Sequence, residues 1–103
     1  MVEGDRIVAV GSKVPIPKGA QVIDLGDATL LPGFIDMHTH VSGESGNDWA
    51  ATAIASMRRT VPETTLLASV YARRLLDAGF TTIRDLGSGD WVDSGLRDGI
   101  EAG

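Results

Sequence analysis

Both histidines of the chain, His38 and His40, lie two residues apart in the segment FIDMHTHV. In a β-strand, side chains at i and i+2 point to the same side from positions roughly 6.5–7 Å apart. Two imidazoles can then converge on one ion at about 2.0–2.1 Å each. The same alternation places Phe34 and Asp36 on this face, where Asp36 could hydrogen-bond a ring N–H or reach the metal itself. We interpret His38 and His40 as metal ligands; the alternative is a pair of hydrogen-bonded polar side chains on a strand.

The composition restricts the other chemistry that is available. The chain has no cysteine, so it can form neither a disulfide nor a thiolate metal site. The formal net charge of -5, with no basic cluster, argues against nucleic acid and anionic membranes as partners. No apolar run approaches the roughly 18 residues of a membrane span, and the first residues do not resemble a secretory signal. We therefore expect a cytoplasmic protein.

The elements before Pro32 predict a small antiparallel arrangement. Three short β-prone runs are separated by turns rich in Gly and Pro, and none of them carries a histidine. The predicted strands are Arg6–Val10, Gln21–Leu25 and a third that begins over Ala28–Leu31.

After Gly33 the pattern changes to strand, helix, strand, helix, which predicts an α/β fold with parallel strands. FIDMHTHV and Thr81–Asp85 are the predicted strands, expected to be parallel neighbours. Two helices lie between them: an Ala-rich one over Trp49–Arg59, and a second that ends at Ala78. The last helix is predicted over Ser94–Ala102.

The second helix carries the clearest local signals. Thr60 and Glu63 have the spacing of a capping box, and Pro62 stands in the first turn. Gly79 suits the position after the C-terminus. An apolar stripe at i, i+4 and i+8 predicts the buried face of this helix. It consists of Leu67, Tyr71 and Leu75.

These residues resemble the amidohydrolase superfamily, in particular its imidazolonepropionase-like and Xaa-Pro-dipeptidase-like branch. The similarity lies in VIDLGDATLLPGFIDMHTH, LLDAGFTTIRDLG and GLRDGIEAG, which together extend over most of the chain. In that family a small β-sandwich leads through LPG into the first barrel strand, which ends in D-x-H-x-H.

The resemblance implies the N-terminal portion of a (β/α)8 TIM barrel over residues 32–103, preceded by part of a small β-sandwich over residues 1–31. It also implies one or two divalent metal ions, zinc being the expected one, with His38 and His40 as metal ligands at a strand C-terminus. The metal would activate water for hydrolysis of a C–N bond. The expected substrates are dipeptides or N-acyl amino acids.

The family's remaining ligands are a lysine, two later histidines and a late aspartate, and none has a counterpart here. A whole barrel also needs about 250 residues. We therefore expect a fragment that is inactive alone and needs the missing barrel segments or self-association. Two alternatives stay open: a non-catalytic remnant or self-associating module, and part of a related metal-dependent deaminase. The lysine and later histidines in an extended sequence would distinguish an enzyme from a remnant.

Other conspicuous residues receive structural interpretations. Arg84 and Asp85 lie at the end of the second predicted strand, where a barrel places active-site groups. An ion pair between them is the interpretation that we favour. Trp49 and Trp91 are expected to pack, although pocket lining is an alternative. The arginine pairs 58–59 and 73–74 are predicted to lie on solvated helix faces.

Overall fold

The computed structural model describes all 103 residues, which divide into two compact units, Met1–Leu30 and Leu31–Gly103. The first unit contains one small antiparallel hairpin. Strand β1 (Val2–Glu3) pairs with β2 (Arg6–Ile7), and Val2 lies opposite Ile7. Gly4 begins the turn with a φ of 60°, a left-handed conformation that glycine adopts without steric cost.

The predicted strands of the first unit are largely wrong. Arg6–Val10 is reduced to Arg6–Ile7, and neither Gln21–Leu25 nor Ala28–Leu31 forms a strand. The backbone turns locally between these two segments: the Gly26 N–H donates to Asp24 Oδ1 at 2.8 Å, and the Ala28 N–H donates to the Leu25 carbonyl at 3.1 Å. No neighbouring strand accepts the remaining N–H groups. Because a β-prone segment without a partner strand forms no inter-strand hydrogen bonds, these two segments do not become strands.

The second unit is built on a pair of parallel strands, as the sequence predicted. β3 (Phe34–Thr39) lies beside β4 (Phe80–Asp85), with Phe34 paired to Phe80 at one end and Thr39 to Asp85 at the other. The Phe34 and Phe80 rings contact each other with centroids 5.7 Å apart. Because the strands are parallel, their C-terminal ends lie at the same edge.

Two helices connect the strands. α1 (Trp49–Arg58) begins at the N-cap Asp48, whose Oδ1 accepts the Ala51 N–H at 3.0 Å. α2 (Val61–Asp77) begins at the N-cap Thr60, whose Oγ1 accepts the Glu63 N–H at 3.4 Å. Gly79 follows α2 with a φ of 95°. Both helices and the caps of α2 therefore confirm the local signals in the sequence.

The last helix, α3 (Val92–Ala102), begins two residues before the predicted Ser94 and packs against α2. A 3₁₀ turn, Gly89–Trp91, precedes it. Asp90 and Trp91 both have left-handed backbones, with φ of 57° and 59°. Such conformations are uncommon outside glycine.

The second unit buries few side chains. Val41, Ala68 and Val92 are its buried apolar residues, and Thr39 at the end of β3 is its buried polar residue. The α2 stripe of Leu67, Tyr71 and Leu75 is half-buried, as its periodicity predicted.

The predicted packing of the two tryptophans is wrong, because Trp49 and Trp91 are each 81% exposed. Both indoles follow polar loops and lie at helix starts, where no other element covers them. None of the helices combines the length and the apolar character that crossing a bilayer requires.

Candidate metal centre

The structure brings the two histidine rings together at the C-terminal end of β3. His38 lies in the strand and His40 directly follows it. The ring centroids are 5.4 Å apart and the ring planes meet at 71°. Both side chains are exposed. The strand alternation thus places the pair on one face, with access from solvent.

This separation fits two ligands of one metal ion. Zinc lies about 2.0–2.1 Å from an imidazole nitrogen, hence roughly 3.2 Å from the ring centre, and two rings at a tetrahedral angle are then roughly 5 Å apart. The observed 5.4 Å agrees with that value. Neutral imidazole is also a common donor for zinc and other divalent transition metals. The two histidines therefore fit a divalent metal as part of a ligand set.

One ring is oriented by the neighbouring strand end. His40 Nδ1 lies 3.0 Å from the carbonyl oxygen of Gly87. Since a carbonyl can only accept, Nδ1 must carry the proton, and in the neutral ring Nε2 keeps its lone pair. Metal-binding histidines commonly donate their other ring N–H in this way.

Asp36 does not act on either ring. Its Oδ1 accepts the backbone N–H of His38 at 2.9 Å, so the carboxylate supports the strand backbone next to the pair. Of the two roles expected for Asp36, the hydrogen bond to a ring N–H is therefore wrong, and direct contact with a metal stays a prediction. An Asp side chain reaches an N–H two residues ahead readily, and this local bond competes with the longer reach to a ring.

The donor set within this chain is small. Nowhere do three or more His, Asp or Glu side chains converge in a way that could hold a metal ion. A catalytic zinc usually has three protein ligands. The two imidazoles alone fall short of the ligand number of such a site.

The end of β4 is tied to the histidine segment by backbone contacts. Asp85 Oδ2 accepts the Val41 N–H at 2.6 Å, and Asp85 Oδ1 accepts the Gly87 N–H at 2.8 Å. The Leu86 N–H donates to the Thr39 carbonyl at 3.0 Å. These bonds connect the two strand ends at the point where His40 leaves β3.

The predicted ion pair between Arg84 and Asp85 is wrong. Arg84 Nε donates to the Met37 carbonyl at 2.9 Å, whereas the Asp85 carboxylate is bonded to backbone amides. Successive residues of a strand point to opposite faces, so adjacent opposite charges are poorly placed to meet.

An open cavity of about 650 Å³ lies beside His40, between the strand end and the two connecting helices. Trp49 and Tyr71 contribute aromatic surface to it. Arg74 lines the cavity, and its Nη1 donates to both carboxylate oxygens of Glu44, at 2.7 and 2.8 Å. Arg73 instead pairs with Asp77 within α2. Both arginines are exposed, as predicted for a solvated helix face.

Known proteins similar to this chain carry the names of hydrolases that act on carbon–nitrogen bonds. A dihydroorotase of Mycobacterium leprae is 31% identical over 85% of this chain and 24% of its own length. An imidazolonepropionase of Anaeromyxobacter sp. is 34% identical over 90% of this chain and 28% of its own length. An allantoinase of Streptomyces avermitilis is 47% identical over 33% of the chain and 8% of its own length.

These relatives are members of the amidohydrolase superfamily, so the similarity predicted from the LPGFIDMHTH segment is confirmed. The chain is related in sequence to that superfamily. It spans about a quarter of the length of the dihydroorotase and imidazolonepropionase relatives. No protein-family model matches the chain, and no solved structure matches it.

Sequence reasoning placed Asp85 at a strand end where active-site groups lie but favoured an ion pair with Arg84, and it missed the contribution of Gly87. The partners of Gly87 and Asp85, His40 and Val41, are 47 and 44 residues away along the chain. One signal was present: in a parallel pair, the residues that follow the second strand lie at the same edge as those that follow the first. Once the two strands are expected to be parallel, that rule predicts that residues 85–87 lie beside His40.

Proposed function

We propose that this chain is the N-terminal part of a metal-dependent hydrolase of carbon–nitrogen bonds, in which His38 and His40 bind a divalent metal. One observation carries the proposal: two imidazoles lie 5.4 Å apart at a strand end, and the backbone carbonyl of Gly87 fixes the tautomer of one of them. The names of the relatives support the same class of reaction.

When bound, the metal ion supplies Lewis acidity, which polarises an amide carbonyl and makes a water molecule nucleophilic near neutral pH. The residues of this chain then have defined tasks. His38 and His40 offer imidazole nitrogens, and Gly87 holds the proton of His40 on Nδ1. The cavity beside His40 offers aromatic surface at Trp49 and Tyr71 to part of a substrate.

The fold that we propose for the whole protein is a TIM barrel, with β3 and β4 as its first two strands. The parallel pair and its helical connection support this proposal, because a (β/α)8 barrel is built from repeats of such units. The histidines lie at the C-terminal end of β3, and barrel active sites lie at that face.

Two substrate classes follow from different observations. Dipeptides and N-acyl amino acids follow from the resemblance of the motifs to the dipeptidase-like branch. Dihydroorotate, allantoin and imidazolonepropionate follow from the names of the relatives. The relatives favour the second class, so we propose small amides of this kind first and dipeptides second.

The test is metal content in the longest natural protein that contains this sequence. We expect His38→Ala and His40→Ala each to remove most of the bound zinc, measured by elemental analysis, together with hydrolysis of both substrate classes. Arg73→Ala is the control, because Arg73 lies on the solvated face of α2, pairs with Asp77 and contacts neither histidine. Normal zinc content in both histidine variants would disprove the assignment.

A further inference from the structure

Asp85 connects the backbone after His40 to the backbone that holds the His40 ring. Its Oδ2 accepts the N–H of Val41, which belongs to the peptide bond directly after His40, at 2.6 Å. Its Oδ1 accepts the N–H of Gly87 at 2.8 Å, and the carbonyl of the same Gly87 accepts from His40 Nδ1 at 3.0 Å. The carboxylate thus fixes both backbone segments that determine where the imidazole points.

The Asp85 carboxylate accepts from both amides at once. Each oxygen faces an N–H donor, and hydrogen bonds from backbone N–H groups to a carboxylate are short and strong. An asparagine would accept from one amide and present its own NH₂ group to the other. Since Arg84 bonds to Met37 and not to Asp85, the carboxylate is not engaged in a competing ion pair.

One side-chain bond holds the strand ends together without involving a peptide bond of His40. Thr39 Oγ1 donates to the Arg84 carbonyl at 3.2 Å. Thr39 lies between the two histidines in sequence, yet its side chain is buried on the opposite face. The structure therefore separates contacts that join the strands from contacts that orient the ring.

We infer that Asp85 is a positioning residue for His40. By holding the Val41 and Gly87 amides, Asp85 orients the His40 ring so that its Nε2 faces a divalent cation. This inference rests on the proposed function, because Asp85 can position a metal ligand only if His40 binds a metal. The cation concerned is zinc or another divalent ion that accepts imidazole nitrogen.

The experiment compares zinc affinity and ring tautomer in the longest natural protein that contains this sequence. Asp85→Asn is the principal variant and Asp85→Ala the more severe one. Thr39→Val is the matched control, since it removes a bond between the same strands but none that leads to His40. Zinc affinity is measured by competition with a chelator. The protonated nitrogen of His40 is identified in the metal-free protein from ¹⁵N shifts, assigned with His40→Ala.

We expect Asp85→Asn to weaken zinc binding about 10- to 100-fold, the range found when partners of metal-binding histidines are removed. Asp85→Ala should weaken it further, and Thr39→Val should change it less than about threefold. The Nδ1–H tautomer of His40 should dominate in the Thr39→Val protein and become mixed with the Nε2–H form in both Asp85 variants.

Three results would overturn the inference. Zinc affinity and tautomer could be unchanged in Asp85→Asn, or Thr39→Val could weaken zinc as strongly. Both Asp85 variants could also fail to fold while Thr39→Val folds, which would make Asp85 a general stability residue. If His38→Ala and His40→Ala retain zinc, the proposed function itself fails. If those two lose zinc while Asp85→Asn keeps full affinity, only the role of Asp85 fails.

Discussion

Gly33 illustrates how one residue sets the distance between two chain segments. A Cβ atom at this position would lie 2.1 Å from Thr81 Oγ1 and 2.7 Å from Thr81 Cβ. Any larger residue would therefore overlap the side chain of the neighbouring strand. Gly33 directly precedes β3, so its lack of a side chain allows that strand to begin beside β4.

Gly33→Ala should lower the free energy of unfolding by roughly 1–3 kcal/mol, because overpacking displaces neighbouring side chains or backbone. Urea denaturation measures the change. Gly43→Ala is the matched control, since nothing lies within 4 Å of the Cβ that it adds. The cost should shrink in a Thr81→Gly background, where the overlapping atoms are absent. An equal cost in both backgrounds would show that the contact with Thr81 is not its cause.

Only some contacts of the histidine pair could be predicted from the sequence. The shared face of His38 and His40 follows from the two-residue period of a strand, which is local information. The bond from Val41 to Asp85 joins residues 44 positions apart, and the bond from His40 to Gly87 joins residues 47 apart. No local pattern specifies such pairs, because they depend on the register of two strands that meet only in the folded chain.

The bounds of the connecting helices depend on residues within one turn of their ends, whereas the strands of the first unit depend on distant partners. The bounds of α2 follow from the Thr60 cap, Pro62 and Gly79, each of which acts within one helical turn. The Gln21–Leu25 segment has a strand-like composition but lacks a partner strand. β-propensity reflects a fit to a sheet surface, so composition alone could not predict the outcome there.

Thr60→Ala should lower the free energy of unfolding by about 1 kcal/mol, because the Glu63 N–H loses its side-chain acceptor. Thr60 is exposed, so the change involves little loss of packing. Thr65→Ala provides the comparison: Thr65 Oγ1 donates to the Val61 carbonyl within the helix, and alanine is the better helix former at that position. Equal destabilisation by the two substitutions, measured from thermal unfolding, would contradict the capping role.

The second unit, taken as a whole, buries little of its apolar surface. No large side chain is fully buried, and Ile35 and Met37 on the apolar face of β3 are 60% and 55% exposed. Parallel strands are normally covered on both faces. We therefore expect further polypeptide or a second copy of the chain to cover this strand face.

We expect the isolated 103-residue chain to self-associate and, when loaded with zinc, to hydrolyse neither dipeptides nor the relatives' substrates at a useful rate. Sedimentation velocity measures the association. Replacing Ile35 and Met37 by threonine should shift the chain toward monomer, since the β-prone residues remain while the apolar area falls. Val10→Thr is the control and should leave the degree of association unchanged, because Val10 lies in the first unit and is 89% exposed. A zinc-bound monomer that turns over amides would refute both expectations.

The hydrogen bond between His40 and Gly87 has a consequence for the order of events during folding. In the unfolded chain an imidazole exchanges its proton between two nitrogens, and either one can capture a cation. The bond that selects Nε2 closes a loop of 47 residues, so it forms only after α1 and α2 have brought β4 beside β3. A cation that meets the ring before this bond forms finds both nitrogens available. Metal present from the start can thus bind Nδ1 of His40. It must leave that nitrogen before Nδ1 can carry a proton and donate to the Gly87 carbonyl.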